Sequence, residues 1–320
     1  MAAFYTHYKF GKDVINKSKL ENIDMNLYTV FNQSFDNFYF YNFYLPFYGK
    51  KIRNIAKIGH RKNVNKYFEK IIKYIKKNKL ENDTKVRAYL YGSINHYILD
   101  SIIHPYVFYQ TGVYKKNNPK TYKYNGLHGD LEFSLDAYLY KKEFNKYYYK
   151  EKITNKVFVN PVFNNNLNNC IDNTFKDIFD VENGSNIYKK AIKDYRLAYK
   201  YSYTDTFGIK KVLLHILDFI TGKKIVNLKS HTTHYTKFNE SYLNKNNNIW
   251  YHPATKEKQT DSLFNLYDKA VLKSTYIVKE LEKYFKNKSS IDNVLSLIGN
   301  NSYVTGLDIN RNKKMKYFKF

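Results

Sequence analysis

The hydrophobic positions of the chain repeat mainly with a helical period. Apolar residues recur at spacings of three and four in residues 64–75, 86–102, 187–202, 206–221 and, most clearly, 262–287. This spacing places them on one side of an α-helix. The strict alternation typical of β-strands is scarce, and no internal repeat or nucleotide-binding glycine loop occurs. The pattern therefore predicts an all-α fold.

The helix that follows Asp83, its expected N-cap, is apolar on more than one side. One stripe consists of Val86, Leu90, Ile94, Ile98 and Ile102. A second side carries His96 and Asp100. A helix that is apolar on several sides is typical of the centre of a bundle. Because proline disfavours helical geometry at the residue before it, Pro105 predicts that His104 lies at the end of this helix.

The remaining segments have weaker patterns. Residues 4–16 predict a short helix, and the aromatic-dense run 27–48 ends near Gly49. Residues 110–127 predict a polar loop, and the Asn-rich residues 141–185 predict short helices and connections.

Two residues of the C-terminal half have individually predicted roles. Ser262 is the expected N-cap of the last long helix. His215, within VLLHILDFI, is expected to pack in the core.

The charge of the chain does not by itself identify a partner. The formal net charge of +26 would suit nucleic acid or an anionic membrane. Only five of the 54 basic residues are Arg, although Arg is the side chain best suited to bidentate phosphate and base contacts. Abundant Lys, Asn, Tyr, Phe and Ile are instead typical of an AT-rich genome. We therefore expect nucleic acid to be a less favoured partner, with peripheral contact with an anionic membrane as an alternative.

The chain shows no targeting or transmembrane segment. Its first residues lack the apolar core of a signal peptide, and no run approaches about 18 apolar residues. The single cysteine, Cys170, allows neither an internal disulfide nor a thiolate metal cluster. We expect a cytoplasmic protein in which any metal ion is bound by histidines and carboxylates.

Histidines and carboxylates with metal-ligand spacing lie in two places. His96, Asp100 and His104 are spaced i, i+4 and i+8, and His128 and Glu132 are spaced i, i+4. Two such side chains one helical turn apart can bind the same ion. His96 and His104 lie roughly 12 Å apart along a helix, too far for one ion. The spacing therefore indicates at least two metal ions, although a single pair of this kind often arises by chance.

Three further residues are candidate ligands. His7 lies in the first predicted helix, and His60 precedes the helix that begins near residue 61. Asp36 lies among aromatic residues, where an acid requires a partner or a metal ion. SFDN is equally typical of a solvated turn, so both interpretations of Asp36 stay open.

The order of these residues resembles that of the zinc-dependent phospholipase C family, the bacterial phospholipase C/D-like domain. FYTHYKFGKDV, YLYGSINHYILDSIIHPYVFY and HGDLE look like hallmark segments of that family. NIWYHPATKEKQTDSLFNLYDKAV and SYVTGL resemble C-terminal segments of its small bacterial members. The resemblance implies an all-helical enzyme that hydrolyses phosphodiesters, either of phospholipid head groups or, in a nuclease branch, of single-stranded nucleic acid.

The resemblance also implies a ligand set for the first zinc ion. His60, His96 and Asp100 would bind this ion, with Asp36 as a further ligand and catalytic base. His7 would help to bind a third ion, which Asp100 would bridge to the first.

The second zinc ion would be bound by His104, His128 and Glu132, so the family implies two or three ions. A metal-bound hydroxide would attack the phosphorus of a phospholipid head-group ester. The third ion of the secreted enzymes uses an N-terminal Trp, whereas the one Trp of this chain is Trp250. A single-strand nuclease and a non-catalytic, zinc-stabilised protein are therefore the alternatives.

The chain length suits one large domain. We expect a single all-helical domain over residues 1–320, with the metal site in about 1–150 and a C-terminal helical part of about 185–320 packed on it.

Overall fold

The computed structural model describes residues 4–45, 47–159, 161–221, 230–311 and 313–320. The helices of the N-terminal half are α1 (Phe4–Ser18), α2 (Met25–Phe31), α3 (Lys50–Gly59), α4 (Val64–Lys77), α5 (Thr84–Thr111), α6 (Leu127–Phe144) and α7 (Thr154–Val157). Those of the C-terminal half are α8 (Asn165–Phe179), α9 (Gly184–Ala198), α10 (Ile209–Ile220), α11 (Leu263–Phe285) and α12 (Ile291–Ile298). Short 3-10 helices include Ser34–Phe40 and Pro119–Tyr124.

Strands contribute almost nothing to the described part of the chain. β1 (Trp250–Tyr251) and β2 (Lys258–Gln259) pair antiparallel, with Trp250 opposite Gln259. The predicted all-α fold is therefore confirmed.

The long helix α5 lies at the centre of the molecule. Asp83 begins it, and its carboxylate accepts hydrogen bonds from the backbone N–H groups of Lys85 and Val86. α2 and α11 pack against it, and its side chains are buried on nearly every side. Because other helices surround α5, its apolar residues are not confined to one stripe. The contiguous hydrophobic core reaches from Phe4 to Tyr303.

The prediction that α5 ends at His104 is wrong, because the helix continues through Pro105 to Thr111. Proline cannot donate the hydrogen bond that the Ser101 carbonyl would accept in a regular helix. The backbone of Gly306 lies against this place, so close that a Cβ atom built on it would be 2.5 Å from the Ser101 oxygen. A segment that is distant in the sequence therefore covers the irregular turn, and α5 continues beyond its proline.

Two weaker patterns also differ from their predictions. α8 is a full helix of 15 residues inside a segment predicted to hold short helices. Asn164 caps it by accepting from the Leu167 N–H, and its buried stripe is hidden in the sequence by the Asn-rich surface. His215 is exposed rather than packed in the core, because α10 projects its apolar side chains outward.

The start of α11 follows the prediction. Ser262 accepts a hydrogen bond from the Asn265 N–H, and the Asn265 side chain accepts one from Ser262 in a capping box. Among the described helices, none combines the length and the apolar character needed to cross a membrane.

Candidate metal centre

The structure brings all eight candidate residues into one cluster. They form three groups, and within each group the potential ligand atoms lie within 4.8 Å of one another. The groups are His7, His96 and Asp100; Asp36, His60 and His96; and His104, His128 and Glu132. α1, α5 and α6 supply most of these side chains.

Two candidates come from elements other than those expected. Asp36 lies in the 3-10 helix Ser34–Phe40 and is fully buried, so the interpretation as a solvated turn is wrong. His60 is the C-cap of α3 and does not begin α4, which starts at Val64. Its backbone N–H bonds to the carbonyl of Ala56, which holds the residue in the last turn of α3.

Asp100 is the side chain on which the cluster converges. Its Oδ1 lies 3.2 Å from Nε2 of His7 and 3.7 Å from Nε2 of His104. Its Oδ2 lies 3.4 Å from Nε2 of His96 and 3.7 Å from Nε2 of His60. Burial alone would raise the pKa of Asp100, but the surrounding imidazoles hold that pKa well below its usual range. The carboxylate is therefore ionised and shared between four histidines.

The third group lies nearest to solvent. His128 Nε2 lies 2.8 Å from Oε1 of Glu132, and His104 Nε2 lies 3.6 Å from the same oxygen. The side chain of His128 is 24% exposed, more than that of any other residue in the cluster. Burial opposes ionisation of Glu132, yet the His128 imidazole lowers the pKa of Glu132 to about 2. This group can therefore bind a cation next to the opening of the cluster.

Backbone carbonyls fix the orientation of the histidine rings. Nδ1 of His60 lies 2.5 Å from the Ala56 oxygen, and Nδ1 of His96 lies 3.1 Å from the Asn32 oxygen. A carbonyl can only accept, so each of these Nδ1 atoms carries the proton. Nε2 of each ring is then left with a free lone pair directed into the cluster. This is the arrangement that second-shell groups impose on metal-binding histidines.

Tyr303 orients two ligands and was missed as a site residue in the sequence. Its carbonyl lies 2.8 Å from Nδ1 of His104, and its N–H donates to the His60 carbonyl at 3.0 Å. Its ring lies 4.8 Å from the His60 ring, measured between centroids. The only signal in the sequence was the family resemblance of SYVTGL, because main-chain atoms carry the contacts.

Asp136 has a similar supporting role. Its carboxylate accepts hydrogen bonds of 2.8 Å from the N–H groups of Tyr5 and Thr6 and from the Thr6 hydroxyl. These bonds satisfy the first N–H groups of α1 and fix the turn that carries His7. The only feature of the sequence that pointed to Asp136 was its position one helical turn after Glu132.

The buried polar atoms of the cluster fit a cation. Among the described residues, Nδ1 of His7 has no hydrogen-bond partner. Nε2 of His7 and Oδ2 of Asp100 face only other side chains of the cluster. Nε2 of His60 and Nε2 of His96 face each other at 3.5 Å. Burial lowers the pKa of His96 to about 3, so this imidazole is neutral and able to bind a metal ion. Imidazole nitrogens with carboxylate oxygens form a donor set typical of zinc.

The fold and the cluster define an all-α protein with a buried, zinc-type centre of histidines and carboxylates. The sequence model of the zinc-dependent phospholipase C family matches residues 6–185, which include all eight candidates. The chain therefore belongs to the zinc-dependent phospholipase C family, as the resemblance predicted. Among curated proteins and among solved structures, no match was found. Family membership and the cluster together support a zinc hydrolase.

Proposed function

We propose that this protein is a zinc-dependent phosphodiesterase of the phospholipase C type that hydrolyses the head-group ester of phospholipids. The observation that carries the proposal is the convergence of three ligand groups on one shared carboxylate, Asp100. All of these residues lie within the part of the chain that the family model matches.

The ligands of the proposed centre follow from the three groups. One ion would be bound by Asp36, His60, His96 and Asp100, one by His104, His128 and Glu132, and His7 with Asp100 offers a third position. Zinc, when bound, lowers the pKa of a coordinated water to about 7 and offsets the charge of a phosphate.

Asp36 is the residue we assign as the catalytic base. It is fully buried and lies 3.3 Å from Nε2 of His60. Burial would raise the pKa of Asp36, yet this pKa lies below its usual range, and the His60 and His96 imidazoles contribute to the lowering. The ionised carboxylate can accept a proton from the attacking water. The new bond forms between that water and phosphorus, the bond from phosphorus to the diacylglycerol oxygen breaks, and the leaving oxygen receives a proton.

The test combines zinc content with turnover of a lipid that does not aggregate. Purified protein is analysed for zinc and assayed on short-chain phosphatidylcholine below its critical micelle concentration. Asp100→Asn keeps the size of the side chain but removes the shared negative charge. Asp172→Asn is the matched control, because this acid bonds Ser185 at the start of α9, outside the cluster.

We expect native protein and Asp172→Asn to hold zinc and hydrolyse the lipid. Asp100→Asn should lose zinc and about a hundredfold or more in activity, since it removes a metal ligand. Native protein that binds no zinc would contradict the proposal. Zinc-loaded protein that cleaves neither this lipid nor single-stranded DNA would instead favour a zinc-stabilised, non-catalytic protein. Cleavage of DNA alone would favour the nuclease.

A further inference from the structure

α10 presents apolar side chains to solvent along one broad face. Within this helix, which the structure describes in full, only Asp218 is buried. The exposed apolar residues of this segment are Phe207, Ile209, Val212, Leu213, Ile216, Leu217, Phe219 and Ile220. Phe207 and Phe219 are each 84% exposed. A contiguous apolar surface of this kind marks a site of interaction.

A second apolar protrusion follows the 3-10 helix that carries Asp36. We call Tyr44, Leu45, Phe47 and Tyr48 the apolar tip; all four are exposed, and Phe47 is 92% exposed. Nη1 of Arg53 donates to the carbonyls of Tyr41 and Tyr48, at 2.8 and 2.7 Å. These bonds fasten both ends of the loop, so its apolar side chains are held outward.

Both protrusions are anchored at one cavity next to the metal centre. The cavity has a volume of about 340 Å3, and Tyr39, Arg53, Tyr203 and His231 are among the residues that line it. Arg53 fastens the apolar tip, and the ring of Tyr39 lies 5.8 Å from that of His60. Tyr39 therefore lines the cavity and also contacts His60, a residue of the cluster.

The base of α10 reaches the same cavity through Asp205. The Asp205 carboxylate accepts from the Lys211 N–H at 2.8 Å, and the Asp205 N–H donates to the Thr233 hydroxyl at 3.3 Å. Thr233 in turn donates its N–H to the carbonyl of Tyr203, a cavity residue, at 2.8 Å. α10 and the apolar tip are thus each bonded to residues that line the same cavity.

The charges around the two protrusions are positive. Residues 41–53 contain Lys50, Lys51 and Arg53 and no acid. Residues 206–220 contain Lys210 and Lys211, whose ammonium groups donate to backbone carbonyls, and their only acid is the buried Asp218. Exposed apolar residues without exposed acids, next to the exposed Lys50 and Lys51, match the chemistry of an anionic lipid surface.

We propose that α10 and the apolar tip insert together into an anionic lipid surface and place the cavity between them against the membrane. The inference rests on the proposed function, since it explains how a buried site would reach a phospholipid. The exposed apolar residues of α10 lie on one broad face, and Lys211 and the buried Asp218 lie on the opposite face. This is the arrangement of a helix that lies in a membrane interface with its apolar face in lipid.

Vesicle binding tests the proposal without requiring catalysis. Full-length protein is co-sedimented with vesicles of equal parts phosphatidylglycerol and phosphatidylcholine, and with vesicles of phosphatidylcholine alone. The α10 variant is Leu213→Glu with Leu217→Glu, one turn apart on the exposed surface. The control is Leu272→Glu with Tyr276→Glu, which has the same spacing at exposed positions on α11. Circular dichroism checks that both variants keep their helices.

We expect native protein to bind the anionic vesicles, and more weakly those of phosphatidylcholine alone. The α10 variant should bind about tenfold or more weakly, while the α11 control binds as the native protein does. Phe47→Glu, in the apolar tip, should also weaken binding.

Native protein that stays in the supernatant would overturn the proposal, as would an α10 variant that binds normally. A native dimer that the α10 substitutions dissociate, without vesicle binding, would overturn it in favour of a second copy. Native protein that binds vesicles but hydrolyses no lipid supports docking while contradicting the proposed function. Asp100→Asn should bind vesicles as the native protein does, which separates the two proposals.

Discussion

The contact between Gly306 and α5 makes the most specific prediction about how the metal centre is held in place. Gly306 has φ = +67°, and its backbone lies against the turn of α5 that contains Pro105. The neighbouring Tyr303 bonds both His104 and His60. We therefore expect Gly306→Ala to move the segment 302–307 away from α5 and to disturb both ligands.

The magnitude follows from two contributions. Alanine in the left-handed region costs roughly 1–2 kcal/mol. The new Cβ would also lie 2.5 Å from the Ser101 carbonyl oxygen and 3.0 Å from Cγ of Pro105. Relieving such overpacking against backbone costs a further 1–3 kcal/mol or so. Gly299→Ala is a control for backbone strain without a close contact. Gly299 has φ = +78° and ψ = −177°, and the nearest neighbour of its added Cβ, the Tyr97 hydroxyl, would be 3.8 Å away.

Chemical unfolding and zinc titration of both variants measure the difference. We expect Gly306→Ala to lower the free energy of unfolding by about 2–5 kcal/mol. Gly299→Ala should lower it by about 1–3 kcal/mol, from backbone strain alone. Zinc affinity should fall about tenfold or more for Gly306→Ala alone, as it does when a second-shell contact is lost. If the two variants unfold alike and bind zinc alike, the close approach of Gly306 does not support the site.

Three further predictions concern the cap of α1, the pH dependence and the domain organisation. Asp136→Ala removes the acceptor of four hydrogen bonds, three of them at 2.8 Å, and should lower the free energy of unfolding by about 3 kcal/mol. Asp136→Asn, which keeps one acceptor oxygen, should cost less; urea unfolding measures both. Burial tends to lower the pKa of His104, but the Asp100 and Glu132 carboxylates more than offset this and raise the pKa. Protons should therefore displace zinc from His104 at higher pH than from His96, whose pKa is lowered by burial. Zinc release between about pH 8 and pH 4 should then occur in two steps, the first absent in His128→Gln; a single step in both proteins would contradict this. The zinc-loaded chain should unfold in one transition, with coincident near- and far-ultraviolet circular dichroism; separate transitions would show that it is not one domain.

The side-chain positions of the cluster could be predicted from local sequence. Helical spacing placed His96 and Asp100 on one side of a buried helix, and the same rule paired His128 with Glu132. Because Asp36 lies among aromatic residues, the sequence suggested that its carboxylate is buried and bound by a partner or a metal ion. The same sequence is also typical of a solvated turn, and spacing alone could not distinguish the two. That decision depended on the packing of the 3-10 helix, which buries the side chain completely.

The contacts that orient the cluster could not be predicted in this way. The carbonyl of Tyr303 acts on His104, about two hundred residues earlier in the sequence. Main-chain atoms of this kind leave no pattern of residue types. The local rule for Pro105 failed for the same reason, because Gly306 covers the irregular turn from a distant part of the chain. His215 was misplaced because its apolar neighbours would ordinarily indicate a core.

The central position of Asp100 makes the binding of successive ions interdependent. The Asp100 carboxylate lies within 3.2 to 3.7 Å of four histidines. An ion that it binds in one group would therefore change the charge and the orientation that it offers to the other groups. Loading one position must therefore change the affinity of the next, and by thermodynamic reciprocity the second ion must change the affinity of the first equally. Zinc uptake would then respond to free zinc more steeply or more gradually than independent sites allow. The order in which the positions fill would then depend on Asp100.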